Sequence, residues 1–112
     1  MSKYGNRKVI DHSSGREYDS QKEALRAIQL RLMERGGLIS DLKEQVKYEL
    51  IPKQYVDGKL VERAVTYIAD FVYLDNRTGR VVVEDTKGFK TKDYIIKRKL
   101  LLKVYGLRIQ EI

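Results

Sequence analysis

The sequence predicts an α/β (α+β) domain in which helices pack against a mixed central sheet, in the order α-β-β-β-α-β after an N-terminal hairpin. Three observations predict it. Apolar residues recur at helical spacing over two stretches, about residues 20 to 35 and 92 to 105. Three stretches between them alternate or run apolar with the two-residue period of strands, and Gly, Pro or Asx clusters punctuate the junctions.

The first 19 residues read as an arm and a short hairpin, because Lys8-Val9-Ile10-Asp11 and Arg16-Glu17-Tyr18 flank the turn-forming Ser13-Ser14-Gly15. From Ser20, residues Ala24, Ala27, Ile28 and Leu32 recur three and four apart until Gly36-Gly37 ends the helix. Gln45 to Leu50 alternates as a half-buried strand that Pro52 closes, and a loop through Asp57-Gly58 follows. Arg63 to Leu74, rich in Val, Ile, Tyr, Thr and Phe, reads as a long buried strand. Residues 75–79 are then a hairpin turn into an antiparallel strand from Arg80 to Lys87. Thr91 caps a second helix that stops at Gly106, and Leu107 to Ile112 alternates again.

At 112 residues with 42% hydrophobic content, the chain fills one core, so residues 1–112 are expected to form a single domain. No apolar run approaches the roughly 18 residues that a membrane span needs, and the polar, basic opening lacks a secretory stretch. A cytoplasmic protein with no membrane partner is the expectation. With no cysteine and one histidine, His12 in the expected turn, thiolate chemistry and zinc sites of the usual kind are excluded. Any metal must sit on oxygen ligands, which favours magnesium, manganese or calcium. The 23 Lys and Arg against 16 Asp and Glu give a formal charge of +7, which points to a polyanionic partner.

Two acids stand where strands should reject them. Asp70 interrupts Tyr67-Ile68-Ala69-Asp70-Phe71-Val72-Tyr73, and a carboxylate among such neighbours is costly to desolvate. On the next strand Val81, Val83, Asp85 and Lys87 share one face, with Glu84 on the other. Asp70 lies five residues before Asp75, and Asp85 six after Gly79, so a hairpin brings them near each other while a one-residue slip would separate their faces. Two adjacent carboxylates repel unless a cation lies between them, and a divalent ion is the simplest. The plainer alternative is an ion pair with Lys87 or Arg63 at a sheet edge.

With this element order, Asp70 followed by Asp85-Thr86-Lys87 resembles the PD-(D/E)XK nuclease superfamily, with Ala69 where its name has proline. The segments Tyr18 to Ala24, Tyr67 to Phe71 and Val83 to Gly88 are similar to those of a small phage-associated family of nuclease-like proteins. The resemblance implies a restriction-endonuclease-like fold and Mg2+ or Mn2+ held by Asp70, Asp85, the Thr86 carbonyl and Glu23. It also implies that Asp70, Asp85, Lys87 and Glu23 carry catalysis. Glu23 has a second reading: three residues after Ser20, it completes a helix capping box. The activity implied is hydrolysis of DNA, with structured DNA such as junctions or flaps as substrate, a homodimer as one arrangement and a phage-encoded origin. A basic nucleic-acid-binding or phage accessory protein without catalysis is the alternative, and a ribonuclease a third.

Lys90, Lys92, Lys97 and Lys99 are candidate substrate contacts, since cations follow the proposed centre closely and phosphates would be drawn to them. Gln45, at the start of the first strand, is a further candidate because it resembles glutamines near the active site of some relatives, with a solvated strand residue as the plainer alternative. Interleaved Ile95, Ile96, Leu100, Leu101 and Leu102 mean that the same helix also packs on the core. Phe89 and Tyr94 are available for base stacking, with core packing the expectation for each.

Overall fold

The computed structural model describes residues 8–11, 15–87 and 89–112. Its elements in chain order are β1 (Val9–Asp11), β2 (Arg16–Tyr18), α1 (Gln21–Arg35), β3 (Ile39–Ile51), β4 (Gln54–Val56), β5 (Lys59–Glu62), β6 (Val65–Asp75), β7 (Arg80–Asp85), α2 (Lys92–Tyr105) and β8 (Ile109–Glu111). The central sheet runs β3-β6-β7-β8, antiparallel at its first two junctions and parallel between β7 and β8. The fold is therefore the mixed α+β architecture that the periodicities predict, including the antiparallel N-terminal hairpin of β1 and β2. The turn reading of His12 lies outside the described residues.

Both helices begin and end where capping chemistry directs. Ser20 Oγ accepts from the Glu23 amide at 3.1 Å, and Thr91 Oγ1 from the Tyr94 amide at 3.1 Å, each satisfying a donor that the first helical turn cannot pair internally. Gly106 ends α2 at φ 69, a left-handed conformation that costs a residue with a Cβ about 1 kcal/mol or more. No helix among the described residues is long and apolar enough to cross a membrane.

Three expectations are corrected. The first strand is not confined to 45–50 but begins at Ile39, directly after the Gly36-Gly37 helix end, with a register shift between Ser40 and Lys43 absorbing its irregularity. The stretch through Asp57-Gly58 is not a plain loop: Asp57 at φ 51 and Gly58 at φ 77 make the two-residue turn of a small ribbon, β4 with β5. On α1 the buried stripe is Glu23, Ala24, Ala27 and Leu30, whereas Ile28 and Leu32 are exposed. Alanine lets the helix approach the sheet closely, so the larger side chains on the adjoining arc face outward.

The core divides into two. One part, under α1, joins Ala24, Ala27 and Leu30 to Tyr18, Ile39, Phe71 and Tyr73. The other, under α2, joins Tyr94 and Leu101 to Leu50, Tyr67, Ala69, Val83 and Ile109. Tyr67, Ala69, Phe71 and Tyr73 would share one face of a regular strand, yet they are split between the two cores. The changeover falls at Asp70. There the pairing passes from Glu44 with Phe71 to Val46 with Ala69, and the intervening Gln45 adopts φ 54, a left-handed conformation unusual for a side chain of its size. The register is unbroken across this point, so Gln45 is the β3 residue opposite Asp70.

Candidate active site

The register of β6 and β7 settles the one-residue ambiguity left by the turn. Asp75 pairs with Arg80, Leu74 with Val81, Tyr73 with Val82, Val72 with Val83 and Phe71 with Glu84, and the next step of that series sets Asp70 across from Asp85. The two acids stand equally far from the pair that closes the hairpin. Asp70 is close enough to raise the proton affinity of the Asp85 carboxyl.

Each carboxylate is held from its own side. Asp70 Oδ2 accepts from the Thr86 amide at 2.9 Å and from the Thr86 hydroxyl at 2.8 Å. Asp85, 1% exposed, accepts at Oδ2 from the Tyr67 hydroxyl at 2.5 Å and has the Lys87 ammonium 3.7 Å from the same oxygen. Burial first and the neighbouring Asp70 second push the Asp85 carboxyl up to about 7, against the lowering effect of Tyr67 and Lys87. Burial, followed by the hydrogen bond to Asp85, also drives the Tyr67 hydroxyl well above its usual value, so it remains a proton donor. Lys87 lies 5.1 Å above the Tyr94 ring, a cation–π contact that fixes where the ammonium sits.

Glu23 is 4% exposed, and its carboxyl is also raised to about 7, first by burial and then by the charges of Asp70, Asp19, Asp85 and Glu44. Ser20 does cap the helix through the Glu23 amide, but the carboxylate of Glu23 accepts from Gln45 Nε2 at 3.0 Å. The left-handed turn at Gln45 therefore has a visible consequence, because it brings this amide to Glu23. Among the described residues, no three His, Cys, Asp or Glu side chains are grouped closely enough to hold a metal ion. Asp70 and Asp85 form a two-carboxylate seat, with Glu23 close enough to feel both charges.

A family model described as "Protein of unknown function (DUF1064)" matches residues 1–110. The chain belongs to the DUF1064 family. Neither the curated proteins nor the solved structures give a match to it. The family model covers both acids, Lys87 and both helices of this DUF1064 chain, so the site lies within the matched region.

The remaining predicted residues are dispersed. Lys97, half-buried, lines a cavity with Lys87. Lys90 pairs with Glu111 at 3.3 Å, and Lys92 is exposed at the start of α2. Lys99 follows Lys97 by two residues, which on a helix turns it to roughly the opposite side. Tyr94 is buried as expected, whereas Phe89 is 69% exposed rather than in the core. Its segment lies outside both helix and strand, so no element carries the ring inward.

Two features had no signal in the sequence. Tyr67 lies three residues before Asp70, and strand parity would set them on opposite faces, yet its hydroxyl reaches Asp85. Glu84 does take the opposite face from Asp85, as alternation requires, but there it is 0% exposed and bound by Arg26 through Nε–Oε1 at 2.7 Å and Nη2–Oε2 at 2.6 Å. Tyr73 donates to the same carboxylate. This bidentate pair fastens α1 to β7 behind the site.

Proposed function

We propose that this chain is a metal-dependent nuclease of the PD-(D/E)XK type that hydrolyses phosphodiester bonds in DNA. The observation that carries this reading is the cross-strand placement of Asp70 and Asp85 with the Lys87 ammonium 3.7 Å from Asp85. Two acids facing each other across adjacent strands, one of them almost completely buried, call for a proton or a cation between them at neutral pH. Their donors are all hard oxygens, and this fits Mg2+ or Mn2+ better than a softer metal.

The residues that would hold such an ion are Asp70, Asp85 and the Thr86 carbonyl. When bound, it would supply charge neutralisation at the phosphate and a more acidic water. Lys87 contributes a compact positive charge that binds a phosphate oxygen and orients the attacking water. Thr86 holds Asp70 through two donors, and Tyr67 holds Asp85, so both acids keep one bearing while substrate enters. Glu23, kept by Gln45, is a nearby acceptor for a proton or for a second shell of water. Structured DNA as substrate and action as a homodimer belong to the same reading. So do a cytoplasmic location and a phage-encoded origin.

The test is incubation with linear, single-stranded, flapped and four-way DNA plus Mg2+ or Mn2+, beside Asp85→Ala and Lys87→Ala. Metal-dependent cleavage lost in both variants is the expected result. Cleavage that persists in both points to another centre or to contamination. The second reading, a nucleic-acid-binding or phage accessory protein without catalysis, is favoured by the absence of a three-ligand group among the described residues. Binding without cleavage under any metal condition would establish it.

A further inference from the structure

Beside the paired acids, a cavity of about 310 Å³ is bounded by Thr66, Tyr67 and Ile68 of β6, by Lys87, and by Thr91, Asp93, Tyr94 and Lys97 at the start of α2. Its volume falls at the lower end of the roughly 300 to 1,000 Å³ of small-ligand sites, a size suited to one nucleotide rather than to a larger ligand.

The chemistry of its walls is divided. Lys87 and Lys97 supply two ammonium groups, and the Thr66 and Thr91 hydroxyls line the same space. The apolar contribution comes from Ile68, half exposed although it lies in a central strand, and from the rings of Tyr67 and Tyr94. Asp93 is the one acid lining it, in the exposed first turn of α2, where the helix amides favour its charge. Two cations thus face one anion across the cavity. Lys87 is common to both places, since its ammonium is 3.7 Å from Asp85 while its side chain lines the cavity.

We infer that this cavity is a subsite for the nucleotide flanking the scissile phosphate, with Lys97 taking the next phosphate along the strand and Ile68 receiving the sugar and base. This rests on the nuclease reading for the word scissile, but the binding site itself does not. A subsite of this kind gives the protein affinity for a polynucleotide strand over an isolated phosphodiester. It also gives no direct reading of base sequence, because an aliphatic wall and an ammonium group favour no particular hydrogen-bonding edge.

The experiment uses the full chain in EDTA, where no metal-dependent turnover interferes. Thymidine 3′,5′-bisphosphate is titrated into 15N-labelled protein, and binding of a short single-stranded oligonucleotide is followed by fluorescence anisotropy over a range of salt. Expected are shifts gathered at Thr66 to Ile68 and at Tyr94 to Lys97. Lys97→Gln should weaken the oligonucleotide about five-fold and lower its salt slope by about 0.7, as for one lost phosphate contact. Lys103→Gln, which removes the same charge from the far end of α2, should change neither by as much. Ile68→Ser, at an exposed position outside both cores, should weaken the bisphosphate without altering the salt slope. Shifts elsewhere, or equal effects of Lys97→Gln and Lys103→Gln, overturn the subsite. So do inorganic phosphate shifts matching those of the bisphosphate in place and strength. Correct shifts without cleavage in any metal would sink the nuclease reading and leave the subsite standing, whereas cleavage indifferent to Lys97 and Ile68 would do the reverse.

Discussion

Replacing Asp85 by asparagine should make the metal-free protein more stable at neutral pH while abolishing its activity. In the folded chain the Asp85 carboxyl is raised from 3.8 to about 7, chiefly by burial. At 1.36 kcal/mol for each pH unit, ionising it inside the fold costs about 4 kcal/mol more than in the unfolded chain. Between these two values the folded state retains a proton that the unfolded state has released, so stability declines as pH rises and the whole penalty is present above about pH 7. Glu23, raised from 4.5 to about 7, adds a contribution of the same sign. Asparagine preserves the shape and can still accept from Tyr67, yet it never ionises. Urea denaturation in EDTA at about pH 5 and about pH 8 should show wild type losing stability across the interval and Asp85→Asn losing less, with the variant ahead by about 1–3 kcal/mol at the higher pH. A divalent ion should raise the Tm of wild type but not of the variant, because only wild type keeps both carboxylates to bind it. Wild-type stability that rises with pH, or an asparagine variant weaker than wild type at pH 8, would refute the reasoning.

Further tests address neighbouring groups. Arg26→Ala should destabilise the fold by about 3–5 kcal/mol in urea, since it strands the fully buried Glu84 carboxylate with only the Tyr73 hydroxyl for company. Cleavage activity at limiting metal should climb with pH up to about 7, as Asp85 and Glu23 shed their protons; a profile flat from about pH 5 would separate these groups from the reaction. Lys87→Met should lower cleavage about 10²–10⁴-fold and move the acid limb to higher pH, because the ammonium now favours the ionised form of Asp85. Gly106→Ala should cost about 1 kcal/mol in thermal unfolding and leave DNA binding intact, as the residue adopts φ 69 at the end of α2, with open space where its Cβ would go.

Local chemistry made much of this protein legible in its sequence. Hydrophobic period, Ser20 and Thr91 as caps, and glycines at 37 and 106 depend on neighbours a few residues away, so helix positions and the β1–β2 and β6–β7 hairpins could be read from composition and spacing. The costly placement of Asp70 and Asp85 in apolar strands was equally visible, because a carboxylate there has no local reason to exist. The tertiary structure decided what depends on register and on packing between segments distant in the chain. Whether Asp70 meets Asp85 turned on a single residue of hairpin alignment. Tyr67 and Ala69 pack under α2 while Phe71 and Tyr73 stay under α1, and the left-handed Gln45 gives its own amide to Glu23. No two-residue period can announce such a break. It is stabilised by contacts between segments more than 20 residues apart, and a one-dimensional pattern records only the preferences of neighbours along the chain.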